Sequence, residues 1–123
     1  MLIGLDVGTS GCKAVIYSAQ GISLDSAYIE YPPMNSLYEI DASIVIESVK
    51  DVLRSIAPCA VRHGAKAICV TSIGETFVLV DAQGKPVMPS MLYSDPRGMD
   101  VLGELVDADL VFVAGCKPAG RDR

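Results

Sequence analysis

Residues 2–29 constrain the fold most. Three apolar runs, Leu2–Val7, Cys12–Tyr17 and Ile22–Ile29, succeed one another with only a few residues between them. Gly8 and Gly11 bracket the first gap, and Ala19-Gln20-Gly21 fills the second. Runs this short, with β-branched members and glycine turns between them, predict neighbouring strands rather than helices. Tight turns leave no room for a crossover, so the strands must be antiparallel. The third run alternates, with Ile22, Leu24, Ala27 and Ile29 among Ser23, Asp25 and Ser26. The chain therefore opens as a three-stranded meander.

Beyond Glu30 the periodicity changes. Tyr31-Pro32-Pro33-Met34-Asn35 breaks the pattern as a loop. Asp41 is placed as an N-cap. After it Val45, Val49, Val52, Leu53, Ile56 and Ala60 recur at helical spacing, a core-facing stripe. Pro58 is expected to end or kink this helix, and Gly64 to stop it. His63, beside that glycine, is expected at the helix C-terminus or the surface. Ala67–Thr71 is an unbroken apolar run, predicted as a strand buried on both faces and parallel to an earlier one. Residues 71–76, "TSIGET", form a loop. Phe77–Val80 and Val87–Tyr93 flank a predicted hairpin turn. A second helix is expected from Pro96, with Met99, Leu102, Leu105 and Val106 on one face. "LVFVAG" at 110–115 suits a strand or a docking segment. This order predicts an α/β fold: a mixed sheet with helices on its faces, matching the opening of the ribonuclease-H-like fold.

Composition removes several function classes. Lys and Arg number 10 against 15 Asp and Glu among 123 residues, with no basic run, so no nucleic-acid partner is expected. No stretch approaches the ~18 apolar residues of a membrane span. No secretory leader is expected either, because Asp6 interrupts the first apolar run. The four cysteines, Cys12, Cys59, Cys69 and Cys116, form no CxxC pair, and His63 is the single histidine, which argues against zinc. Cys12 and Cys69 are expected as small buried hydrophobes in a reduced, cytoplasmic setting. Half the residues are hydrophobic and mean hydropathy is +0.38, which predicts an apolar face that promotes self-association.

The first turn carries chemistry that a plain hairpin does not require. Asp6 ends a strand where the chain must turn. Gly8 and Gly11 let backbone N–H groups face outward. Thr9 and Ser10 add hydroxyls, and Lys13 adds a charge just beyond. Together they make a cradle for phosphate oxygens. A bare carboxylate there would repel phosphate, and Mg²⁺ between the two resolves the conflict. The motif is not a Walker A loop, since its glycine turn leads into a strand. The bland alternative is a turn whose Asp, Thr and Ser satisfy only its own backbone. Lys13 and the apolar strand on each side favour the phosphate site.

"IGLDVGTSGCKAVIYSAQG" resembles the phosphate-binding hairpin of the sugar-kinase, actin and Hsp70 superfamily. Within it the chain most resembles the N-terminal part of the FGGY carbohydrate kinases. "LYEIDAS" is similar to that family's aromatic-x-Glu-x-Asp segment. "AICVTSIGETFVLVDAQGKPVMPSMLYSDPRG" is similar to its second block, ending in aromatic-x-Asp-x-Arg. The three blocks span roughly residues 1–118, with 119–123 as a tail outside the family pattern. The resemblance implies that Asp6 assists Mg²⁺–ATP, that Gly8, Thr9 and Ser10 contact phosphate, and that Lys13 belongs to the same motif. It places Glu75 and Thr76 on a sugar or polyol substrate motif, with Asp95 matched to the end of the block. Glycerol kinases have Arg where Gly74 stands, so one substrate donor is missing. Asp95 and Arg97 could instead pair with each other.

The same resemblance implies an ATP-dependent carbohydrate kinase whose general-base aspartate and adenine pocket lie further along than Arg97. No catalytic base is assigned in this chain. The sequence is therefore expected to represent a truncated copy, a frameshifted gene or a cut piece, inactive alone. The alternatives are a remnant or partner-dependent half that only binds, or another superfamily member such as an actin-like filament protein or an activator ATPase.

Overall fold

The computed structural model describes residues 1–33, 36–98 and 101. Its elements are β1 (Leu2–Val7), β2 (Gly11–Tyr17), β3 (Ser23–Glu30), β4 (Glu39–Ile40), α1 (Ala42–Arg62), β5 (Ala67–Ser72) and β6 (Ser90–Met91). Met1–Tyr93 forms one compact unit, and the chain from Ser94 clusters separately.

The meander is present as expected. β1 pairs antiparallel with β2, and β2 with β3. The Gly8 N–H donates to the Gly11 carbonyl at 2.9 Å, which closes the first turn. The second turn places Gly21 at φ 79, a left-handed conformation that glycine adopts without strain. After α1, β5 returns parallel to β1, giving a mixed sheet in the order β3-β2-β1-β5. β4 and β6 form a separate two-stranded pair.

Strand alternation sends Ile3, Leu5, Cys12, Ala14 and Ile16 to one face, all buried. Val52 and Ile56 of α1 pack in the same core, together with Ile40 and Tyr31. The cap of α1 is the expected one: Asp41 Oδ1 accepts from the Ser43 N–H at 2.7 Å. The exposed Glu47–Lys50 and Asp51–Arg54 pairs lie on the opposite side and add little stability.

Pro58 neither ends α1 nor stops its packing: the helix continues to Arg62. A proline removes the bond that its N–H would make to the carbonyl four residues back. Pro58 is exposed, so water can take that carbonyl, while Cys59 and Ala60 keep the last turn on the core. The true stop is Gly64 at φ 61. Its N–H donates to the Val61 carbonyl, and the Ala65 N–H to the Ala60 carbonyl at 2.9 Å, the paired bonds of a Schellman ending. His63 is the exposed C-cap, its N–H donating to the Cys59 carbonyl.

Four expectations fail within the described residues. β5 is not buried on both faces: all six of its residues are exposed, with Ile68 at 50% and Val70 at 59%. The cause is placement. α1 packs chiefly on β2 and β3, while β5 stands at the sheet's edge. Cys69 is exposed for the same reason, whereas Cys12 is fully buried. The hairpin after residue 76 keeps its turn but not its strands. The Asp81 N–H donates to the Lys85 carbonyl at 2.9 Å, and Asp81 Oδ1 accepts from the Gln83 and Lys85 N–H groups. Only a single bridge, Val80 to Pro86, succeeds it, because Ser90 and Met91 pair with β4 instead.

Residues 96–98 are a turn with Gly98 at φ 86 rather than a helix start. Met99, Leu102, Leu105, Val106, the 110–115 segment and Cys116 lie outside the described residues. Among the described residues, no helix is long and apolar enough to cross a membrane.

Candidate functional site

Parallel strands end on the same side, and that sets the site. Val7, the last residue of β1, stands opposite Ser72, the last of β5. The Gly8–Gly11 turn leaves one and the Ile73–Thr76 loop leaves the other. The Ile73 N–H donates to the Val7 carbonyl at 3.0 Å and ties the two exits together. Ligands in open α/β sheets bind outside such carboxyl ends.

An open groove of about 450 Å³ lies there. Asp6, Gly8 and Thr9 line it from the turn, Gly74 and Glu75 from the loop, and Tyr93 from beyond β6. The phosphate-type turn and the loop carboxylate thus share one groove. Glu75 has φ 58, the left-handed region that a non-glycine residue adopts at a cost. Its exposed carboxylate is thereby presented from a strained backbone. Tyr93 was visible in the sequence as the aromatic of the aromatic-x-Asp-x-Arg ending, but nothing there showed that it would meet Asp6 and Glu75.

Asp6 also borders a second groove, of about 330 Å³, with Lys13, Tyr17, Cys69 and Thr71. Lys13 is opposite Asp6 on β2, and Thr71 is opposite it on β5. Asp6 therefore stands at the junction, with the loop carboxylate on one side and the lysine on the other.

Ser10 is exposed on the turn, and its carbonyl accepts from the Tyr31 N–H at 2.9 Å. Thr76 does not accompany Glu75 into the groove. Its side chain enters an apolar pocket with Val7, Ile40, Val45, Val78 and Ser90, where Oγ1 is buried without a hydrogen-bond partner. Asp95, in the separate unit, is engaged by Arg97. The Arg97 Nε–H donates to Oδ1 at 3.0 Å and Oδ2 at 2.9 Å, Nη2 donates to Oδ2, and the Arg97 backbone N–H donates to Oδ1. Those bonds hold the Asp95 carboxyl below its usual range. This is the pairing that the sequence left open beside a substrate role.

Among the described residues, no three His, Cys, Asp or Glu side chains gather as a metal cage. Mg²⁺ keeps most of its water and takes one or two carboxylates together with substrate phosphates. Asp6, exposed at the groove, is a carboxylate of that kind.

The mixed sheet with a βαβ return places the chain in the ribonuclease-H-like class, and solved relatives agree. The xylulose kinase of Rhodospirillum rubrum superposes with a TM-score of 0.76 at 26% identity, over 86% of this chain and 23% of that one. The Plasmodium falciparum glycerol kinase with ADP superposes at 0.69 and 17% identity, over 87% and 23% of the two chains, a likeness of fold. Residues 1–110 match the N-terminal domain of the FGGY family of carbohydrate kinases, and the chain belongs to that family. The glycerol kinase of Natranaerobius thermophilus is 33% identical over 110 residues, covering 85% of this chain and 22% of its own length. The chain spans about a fifth of the curated relatives it matches.

Proposed function

We propose that this chain supplies the phosphate turn and part of the sugar wall of an ATP-dependent carbohydrate kinase, which passes the γ-phosphoryl group of ATP to a sugar or polyol hydroxyl. One observation carries the reading: the Gly8–Gly11 turn and Glu75 line a single groove. In this reading the backbone N–H groups of Thr9 and Ser10, with the two hydroxyls, hold phosphate oxygens, and Gly8, whose own N–H closes the turn onto Gly11, lets the phosphate approach the backbone. Lys13 supplies positive charge beside them. Asp6 would hold Mg²⁺, directly or through water, and the ion would offset the negative charge of the polyphosphate. Glu75 would accept hydrogen bonds from sugar hydroxyls and fix the acceptor. The family region is taken to run beyond the matched residues 1–110 as far as residue 118, with 119–123 outside it. ATP as co-substrate and the free thiols of Cys12, Cys59 and Cys69 support a cytoplasmic setting.

Phosphoryl transfer is mostly positioning between groups on both sides of the substrate. The residues present form one side only, and no general base is assigned among them. The exposed β5 favours a second reading for the isolated chain: a half that binds and depends on further protein for turnover.

A panel of glycerol, D-xylulose, xylitol and gluconate, titrated against the chain and monitored by amide NMR, tests the substrate side. At least one should shift Gly74 and Glu75, and Glu75→Gln should weaken it roughly tenfold. No shift at that loop by any member would remove the sugar wall. Sugar-dependent ATP turnover by the chain alone, above a contaminant control, would overturn the binding-half reading.

A further inference from the structure

We propose that Tyr28 is a further phosphate-contacting residue, its phenol hydroxyl donating to a phosphate oxygen of a nucleotide held at the Gly8–Gly11 turn. The inference rests on the nucleotide reading above. Strand register is its first support. Tyr28 of β3 is opposite Lys13 of β2, Lys13 is opposite Asp6 of β1, and Asp6 is opposite Thr71 of β5. One rung thus crosses four strands with four polar side chains. All four are exposed. Residues on one rung share a face, so Tyr28 extends the row that already holds Lys13 and Asp6.

The second support is where the ring ends. Gly11 is opposite Glu30, which makes Tyr28 its diagonal neighbour. A Cβ placed on Gly11 would lie 2.6 Å from the Tyr28 Oη and 2.8 Å from Cζ. The polar tip of the side chain therefore rests on the glycine backbone, where the turn rejoins β2. A larger residue at position 11 would push that tip away. Without one, the hydroxyl is delivered to the turn.

The chemistry suits the place. A phenol donates a hydrogen bond to a phosphate oxygen without adding charge. Lys13 already supplies the cation, and Asp6 and Glu30 are acids of the same face. A ring that merely covered glycine backbone would need no hydroxyl, and that difference is measurable.

Inorganic pyrophosphate and MgATP would be titrated separately into the 123-residue chain, with the Gly8, Thr9 and Gly11 amides monitored by NMR. The wild type, Tyr28→Phe and Lys13→Ala would be compared. Tyr28→Phe keeps the ring, so its melting temperature should not move, while both ligands weaken about tenfold, the effect of one charge-assisted bond. Lys13→Ala should weaken both as well. If Lys13→Ala weakens binding and Tyr28→Phe does not, the Tyr28 assignment fails and the nucleotide reading stands. If Tyr28→Phe weakens MgATP alone, the hydroxyl meets the nucleoside and the assignment fails. No turn shift in the wild type overturns both. In the wild type the Tyr28 ring signals must also move in step with Gly11, so a static ring at saturation overturns the proposal without any variant.

Discussion

β1, β2 and β3 have two faces built from alternate residues of the same strands, and those faces differ in every physical respect. Toward α1 stand Ile3, Leu5, Cys12, Ala14 and Ile16, with exposures from 0% to 8%. Away from it stand Asp6, Lys13, Tyr17, Leu24 and Tyr28, all exposed. A strand cannot move one set without moving the other, because side chains alternate at a fixed period of two. The buried face thus fixes the register that aligns Asp6 with Lys13 and Tyr28. Packing on one side sets the chemistry of the other, and of the buried residues just named Leu5 alone also borders one of the two grooves.

That division can be broken from either side. The largest effect is expected at Ile16, which is fully buried: Ile16→Ala should cost about 2–5 kcal/mol in a urea melt. A smaller loss would mean that the covered face is looser than its burial implies. Gly11→Ala comes next. Its Cβ would fall 2.5 Å from the Ile29 carbonyl oxygen, a backbone atom that cannot swing aside. The expected cost is about 1–3 kcal/mol, together with loss of binding at the turn. Tyr31 gives a pH test of the covered side. Its hydroxyl is buried without a partner, and burial, aided by Cys12, Tyr28 and Asp6, pushes its pKa up to about 12. The folded state holds that proton more tightly than an unfolded tyrosine, which titrates near ~10. The contribution is therefore complete below that value and is lost as pH rises toward about 12. Tyr31→Phe should flatten that decline in melts at high pH. The smallest effect on stability belongs to the open face: Lys13→Ala should stay within about 0.5 kcal/mol of the parent. A large loss there would erase the distinction between the faces.

Much of this was legible in the sequence because it is local. The glycine turns, the alternation in β3, the Asp41 cap and the Gly64 stop all act within a few residues, and each stands where expected. The residues of the Gly8–Gly11 turn could be named for the same reason. The failures are long-range. "AICVT" has the composition of a strand covered on both faces, but composition does not say what provides the cover. Of the two outcomes expected at Pro58, an end is ruled out, since α1 runs on to Arg62 with its last turn on the core. The turn of Thr76 into an apolar pocket, and the arrival of Tyr93 in the groove, depend on how distant segments meet. No pattern within "TSIGET" or "MLYSD" encodes that.

The two edges of the sheet are also unalike. β3 carries Asp25 and Glu30, and charges along an edge discourage another strand from pairing there. β5 has no charged residue among its six, and Ile68 and Val70 are open to solvent. One border of the sheet resists extension while the other invites it. Added backbone, whether from a second copy or from further polypeptide, has a preferred point of attachment beside β5. Growth of this sheet therefore has a direction, and it runs away from the meander.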